Sequence, residues 1–130
     1  MKLKAILLFF FLTSLNAFSQ QSHSDEGLFK IAIMYPNAEG NTFNIEYYKT
    51  KHMPYVAAML GSNLIKYTIE EGLSNVIPGQ PLPYMAIGTF YVKNVEDYQK
   101  AIGPNITEIR ADFANYTNAI PVILISEVVY

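Results

Sequence analysis

The stretch that decides the fold is LFKIAIMYPNAEGNTFNIEYYKTKHMPYVAAML, Leu28 to Leu60. Its first part, LFKIAIMY, is apolar at nearly every position, which is typical of a β-strand buried on both faces. A polar loop follows, and Asn44 at its end is a favourable N-cap for a helix. Beyond it, apolar positions recur every three or four residues, as on one face of an amphipathic helix: Ile45, Tyr48, His52, Val56, Met59 and Leu60. The stretch therefore predicts a strand, a loop and a helix.

The rest of the chain continues this alternation of elements. The segment NLIKYTIEEG alternates between apolar and polar residues and predicts a half-exposed strand near a sheet edge, and YMAIGTFYV predicts another strand. A second helix begins in NVEDYQKAI, and IPVILISEVVY is a β-branched strand that ends the chain. The order β-α-β-β-α-β predicts an α+β, ferredoxin-like fold, with both helices on one face of a four-stranded antiparallel sheet.

The opposite face of that sheet needs a cover. Three of the four predicted strands are apolar at nearly every position, so a monomer would expose a contiguous apolar surface to water. A second copy of the sheet is the simplest cover. We therefore expect a homodimer whose sheets face each other as a dimeric α+β barrel.

The first nineteen residues have the pattern of a signal peptide. A basic start, MKLK, precedes the apolar run AILLFFFLTSL and a polar end with small residues, so cleavage is expected near Ser19. The apolar run is far shorter than the ~20 residues of a spanning helix, which argues against a stable membrane anchor. The expected organisation is a signal peptide at 1–19, a disordered lead-in at 20–27 and a domain at 28–130. The expected location is periplasmic or extracellular.

Charge excludes one class of function, and cysteine content excludes one means of stabilisation. Removal of Lys2 and Lys4 with the signal peptide leaves 7 basic and 11 acidic residues, and the basic ones are scattered. Nucleic-acid binding needs a basic cluster, so no nucleic-acid partner is expected. The chain has no cysteine, so its stability rests on core burial without disulfides.

Two segments resemble the EthD-domain family. The stretch from Ile33 to Gly61 carries the spacing YYxxxHMP, and ADFANYTNAIPVILISEV, Ala111 to Val128, resembles the C-terminal end of that family. The resemblance implies the dimeric α+β barrel already expected from the sheet faces. It also implies an oxidoreductase-type or degradative role, since the type member is similar to an accessory component of ether breakdown.

No cofactor is evident in the sequence. The chain lacks a G-x-G-x-x-G turn, a cysteine pair and a cluster of metal ligands. No metal site is therefore expected. A bound flavin or haem, the latter with His52 as sole protein ligand, stays open.

His52 has two readings. It lies on the inward face of the helix, where an isolated histidine is commonly a neutral core residue with one satisfied nitrogen. Pro54 supports a chemical role, because it removes a helical hydrogen bond just after His52 and should make the helix kink or restart there. The kink would help to leave a hollow between helix and sheet. Within it, His52 is the candidate general acid or base and Tyr48 its candidate hydrogen-bond partner.

Aromatic residues are the candidate walls of this hollow. Small-molecule pockets are mostly apolar with few polar groups, and the candidate ligand-binding residues are Tyr35, Tyr67, Phe90 or its neighbour Tyr91, and Phe113. For each of them taken singly, core packing is the more common explanation, because buried aromatic residues dominate ordinary cores. The sequence leaves open which residues of the third and fourth strands face the helices.

Two functions follow from these residues. The first is an enzyme, an oxidoreductase or a cofactor-free degradative enzyme, that acts on a small hydrophobic or aromatic compound through His52. The second is a non-catalytic binding or carrier protein for such a compound. The second is favoured because the sequence offers no second titratable partner for His52 nearby along the chain.

Overall fold

A computed structural model describes residues 24–130. The predicted signal peptide lies outside the described residues. The elements, in chain order, are β1 (Phe29–Pro36), α1 (Ile45–Tyr47), a π-helical turn (Tyr48–His52), α2 (Met53–Leu60), β2 (Leu64–Glu71), β3 (Tyr84–Val92), α3 (Val95–Ile102), α4 (Ile106–Ala111) and β4 (Val122–Glu127). Short 3₁₀ turns join several of them, among them Asp112–Asn115. No helix within these residues is long and apolar enough to cross a bilayer.

The four strands form one antiparallel sheet in the order β2-β3-β1-β4. The two central strands, β1 and β3, are the most continuously apolar ones, and β2 and β4 are the edges. This is the strand order of the ferredoxin-like fold, so the predicted fold class is confirmed. The helices pack on one face and enclose the main core between themselves and the sheet.

The first helical segment forms where the sequence predicts it. The Asn44 side chain accepts a hydrogen bond from the Tyr47 N–H, and the rings of Phe43 and Tyr48 pack at a centroid distance of 5.1 Å. The predicted interruption after His52 is also present. The Met53 N–H bonds to the Tyr48 carbonyl in a π-helical turn, and Pro54 occupies the first turn of α2, where its missing N–H costs nothing.

The pairing register settles which strand residues face the helices. Ile31 pairs with Phe90, and Ile33 pairs with Gly88. Gly88 lies directly beneath Tyr48, where a Cβ atom would overlap the tyrosine hydroxyl. Because neighbours in register share a face, Phe90 points toward the helices and its neighbour Tyr91 points away.

The other face of the sheet is apolar and open. It carries Ala32 and Met34 of β1, Ile87 of β3, and Val122 and Leu124 of β4. The last two are 48% and 53% exposed. The expectation that β1 is buried on both faces therefore holds for its helix-facing residues, while the opposite face is only half-buried in the single chain.

Residues 24–27, which the sequence assigns to a disordered lead-in, are held by specific bonds. The Gly27 N–H donates to the Val128 carbonyl at 2.8 Å. Asp25 pairs with Lys66 of β2. The structured unit therefore begins before Leu28, because these polar residues have partners on β2 and at the end of the chain.

Candidate functional site

A cavity of about 460 Å³ lies between the helices and the sheet. Its floor includes Ile33, Phe90 and Ile123 from the sheet. Its walls come from the helices and from the 3₁₀ turn that follows α4. Most lining side chains are aliphatic or aromatic, which is the usual character of a small-molecule site.

Five of the six predicted site residues line this one cavity. They are Tyr35, Tyr48, His52, Phe90 and Phe113. Tyr67 does not line it. It lies on the edge strand β2, is exposed, and packs on Phe90 with the ring centroids 6.0 Å apart. Alternation along β2 identifies the correct face for Tyr67, but β3 separates β2 from the cavity floor on β1 and β4.

The imidazole of His52 is held by a carboxylate. Its Nδ1 atom lies 2.7 Å from Oδ2 of Asp112, in the turn after α4, and the histidine is only 4% exposed. The sequence offers no titratable partner close to His52 along the chain, and the structure supplies one from a distant segment. The turn after the second helical segment supplies this carboxylate from sixty residues away, which no local sequence pattern indicates.

Three donors satisfy Asp112. Besides His52, the Tyr47 hydroxyl donates to its Oδ1 atom at 2.7 Å and the Asn115 side-chain amide donates to the same atom at 2.8 Å. Burial opposes the charge, but the hydrogen bonds from Asn115, His52 and Tyr47 outweigh it, so the pKa of Asp112 lies below its usual value. The carboxylate is thus ionised at neutral pH and acts only as an acceptor.

This acceptor fixes the form of the imidazole. Burial lowers the pKa of His52 below its usual value, and the hydrogen bond and charge of Asp112 only partly oppose that effect. The neutral ring therefore dominates at neutral pH. Because Asp112 can only accept, Nδ1 of the neutral ring carries the proton and Nε2 keeps its lone pair.

Aromatic rings surround the imidazole. Tyr48 stacks on it with an interplanar angle of 15° and a centroid distance of 5.5 Å, while Tyr116 and Phe113 approach to 4.6 Å and 5.6 Å. The hydrogen bond expected from Tyr48 to His52 does not occur among the described contacts. The hydroxyl of Tyr48 instead reaches the sheet at Gly88, so Asp112 orients the imidazole and Tyr48 packs against its flat side.

A pair of tyrosine hydroxyls lies beside this site. The hydroxyls of Tyr35 and Tyr116 are 2.9 Å apart and buried. Burial raises the pKa of both groups well above the usual value for tyrosine, and the same holds for Tyr48. These hydroxyls stay neutral near pH 7, so His52 is the group in the cavity that is suited to accept a proton.

Sequence reasoning missed three residues of this region. Asp112 and Tyr116 lie in the irregular segment after α4, where no periodic pattern indicates an inward side chain. Arg110 lines the cavity from the last turn of α4. The one available signal was the resemblance of residues 111–128 to a family segment, which includes Asp112 and Tyr116.

The fold and this site define an α+β protein of ferredoxin-like topology, with a cavity walled by aliphatic and aromatic side chains and a histidine at its wall that is paired with an aspartate. Within residues 24–130, no three histidine, aspartate or glutamate side chains come together as a metal site would require.

Comparisons with known proteins identify the family. The model of the EthD domain matches residues 42–119, so the chain belongs to the EthD-domain family. An EthD-like protein from Ralstonia eutropha JMP134 has 41% sequence identity, with 81% of this chain and 95% of that chain covered and a TM-score of 0.75. No curated protein is significantly similar in sequence to this chain.

A second solved structure shares the fold. It is an ethyl tert-butyl ether D (EthD) family protein from Bacillus halodurans C-125, with 16% identity and a TM-score of 0.55. The alignment covers 78% of this chain and 98% of that chain. At this identity the likeness concerns the architecture alone.

Proposed function

We propose that this chain binds a small hydrophobic or aromatic compound in the cavity and that His52 acts on it as a general base and acid. The observation that carries the proposal is the orientation of one side chain. His52 lines the cavity, and the Asp112 carboxylate that holds its Nδ1 atom does not. The ring edge turned away from Asp112 carries Nε2, and that edge is the one available to a ligand.

The chemistry that fits this arrangement is proton transfer. Nε2 accepts a proton from an acidic C–H or O–H group of the ligand, and the resulting imidazolium is stabilised by the ionised Asp112. The proton then returns to another atom of the ligand or leaves with the product. No electron is transferred in this step, so a cofactor-free degradative reaction fits this site only where proton transfer itself drives the elimination of a leaving group from the ligand.

The oxidoreductase reading requires an electron acceptor as well. A flavin or haem bound by the purified protein would supply one, and its visible absorption bands would reveal it. A colourless sample that still consumes an aromatic compound would favour the cofactor-free reaction.

The carrier function is the alternative. Its main support was the expected lack of a titratable partner for His52, and Asp112 removes that support. A carrier still fits the largely apolar walls of the cavity. It predicts binding without any change in the compound, which separates it from the enzyme.

Assembly and export form part of the same proposal. The open apolar face of the sheet, with Val122 and Leu124 about half exposed, supports a homodimer formed face to face. The signal-peptide pattern of residues 1–19 supports a periplasmic or extracellular location.

The enzyme proposal is tested by incubating the protein with a set of aromatic compounds that carry an acidic C–H or O–H group and following their conversion by chromatography. We expect the wild type to consume at least one compound and His52→Gln to slow this by about 10²- to 10⁴-fold, the usual contribution of general acid–base catalysis. Tyr55→Phe, which alters an exposed tyrosine outside the cavity, is the control. Binding without consumption would support the carrier, and equal rates for His52→Gln and wild type would remove His52 from the mechanism.

A further inference from the structure

Arg110 brings a permanent positive charge to the cavity. Among the described residues that line it, Arg110 is the one whose side chain is always ionised. It is also exposed to solvent, whereas His52 is almost fully buried. A residue that both lines a cavity and reaches solvent lies at the mouth. The cavity therefore has a cationic mouth and a neutral, basic interior.

The guanidinium of Arg110 has no partner within the described part of the chain. It forms no ion pair and no side-chain hydrogen bond there. Its nearest acidic neighbours in sequence, Glu108 and Asp112, line a separate open groove on the outer side of α4. Glu108 contacts the Tyr55 hydroxyl there, and Asp112 is occupied by its three donors. Glu108 and Asp112 thus line the groove, whereas Arg110 lines the cavity.

The contrast between the cationic mouth and the apolar walls limits the kind of ligand that the cavity can bind. The aliphatic and aromatic walls favour a ring system without charge, because an unpaired ion on such walls loses its hydration without compensation. At the mouth, the planar guanidinium matches a carboxylate with two parallel hydrogen bonds. A compound with a ring at one end and a carboxylate at the other satisfies both regions.

We propose that the cavity selects compounds that combine an apolar ring with one carboxylate-type anion, and that Arg110 binds the anion at the mouth. The inference rests on the proposed function, because it assumes that the cavity takes a small molecule. It places the ring beside His52, with the charged group nearest to solvent.

The test compares two probes that differ only in charge, 1-naphthoate and 1-naphthamide, by calorimetric titration at pH 7. We expect the wild type to bind 1-naphthoate more tightly than 1-naphthamide. Arg110→Gln should weaken 1-naphthoate binding by about 10- to 100-fold, the range of a hydrogen bond to a charged group, and leave 1-naphthamide nearly unchanged. Arg110→Lys should restore part of the affinity, since it keeps the charge and loses the planar fork.

The matched control is Lys93→Gln, which removes the same charge from an exposed site outside the cavity. An equal loss of 1-naphthoate affinity in both variants would indicate a general charge effect and overturn the role of Arg110. Equal affinities of the wild type for both probes would overturn the anion preference while leaving the proposed function intact. Failure of both probes to bind would contradict the proposed function itself.

Discussion

The Nδ1 atom of His52 lies 2.7 Å from Oδ2 of Asp112, and this contact joins the turn before α2 to the turn after α4. Both residues lie where a regular α-helix is interrupted. A π-helical turn places His52 over the cavity, and a 3₁₀ turn brings Asp112 back toward it. Such interruptions are frequent at functional sites, because they direct side chains that a regular helix would place elsewhere.

Replacement of Asp112 by Asn should reverse the tautomer of His52. The amide can donate to Nδ1, which would move the ring proton to Nε2 and leave no lone pair toward the cavity. Nitrogen-15 NMR of the histidine side chain distinguishes the two tautomers without any substrate. Asp97→Asn, an exposed change on α3, is the control. Protonation at Nε2 in the wild type would contradict the account.

The stability of the protein should fall on acidification in two steps. The folded-state pKa of His52 lies below its usual 6.5, so protons bind preferentially to the unfolded chain. Its contribution is complete above about pH 6.5 and is lost as the pH falls through the lowered pKa. Asp112, whose pKa is lowered from 3.8, loses its contribution only below about pH 4.

Urea unfolding measures both steps as decreases in the free energy of unfolding. The series runs from about pH 7.5, above the usual histidine pKa, down to about pH 2.5, below the usual aspartate pKa. His52→Gln should remove the first step and keep the second. A wild-type stability that rises between pH 7 and pH 5 would show that Asp112 raises the pKa of His52 more than burial lowers it.

Gly88→Ala should destabilise the protein by roughly 1–3 kcal/mol or more, the usual cost of overpacking a core. The added Cβ would overlap the Tyr48 hydroxyl and lie 3.2 Å from Cε of Met53, and both side chains are almost fully buried. Gly103→Ala is the matched control, since a Cβ there meets nothing within 4 Å. Equal midpoints of chemical unfolding for both variants would mean that the Tyr48 side chain is not closely packed against Gly88 of β3.

Leu124→Glu should convert the proposed homodimer into a monomer. The substitution places a charge on the open sheet face, where a facing sheet would bury it without a partner. Size-exclusion chromatography with light scattering measures the mass. Ala58→Glu adds the same charge on the exposed side of α2 and should leave the dimer intact. A wild type that is monomeric at micromolar concentration would refute the dimer.

Most of the fold could be predicted because each element has a strong periodic signal. The apolar run of β1, the three- and four-residue spacing from Ile45 and the cap at Asn44 all depend on local sequence, and the structure follows them. The family spacing YYxxxHMP likewise identified His52 and Tyr48 as neighbours in one site. Local sequence patterns are sufficient to predict a helix or strand where buried residues recur at a regular interval along the chain.

The site was only partly predictable because its decisive contact is not local. Asp112 follows α4 in a turn without periodicity, and only the packing of the two helical segments against each other brings it to His52. The misplacement of Tyr67 has a similar origin. Alternation reports the face of a strand but not its lateral position in the sheet, and β2 lies at the edge farthest from β4.

A crystal structure of the protein soaked with 1-naphthoate tests the central claim most directly, because it shows where a ring compound goes. The account predicts density for the naphthalene ring inside the cavity, in contact with Phe113 and with Nε2 of His52 facing it. Thr107→Trp, an exposed change outside the lining, should bind the ring in the same way, whereas Ile106→Trp at the wall should exclude it. A cavity filled by the protein's own side chains, or a ring bound only outside it, would contradict the account.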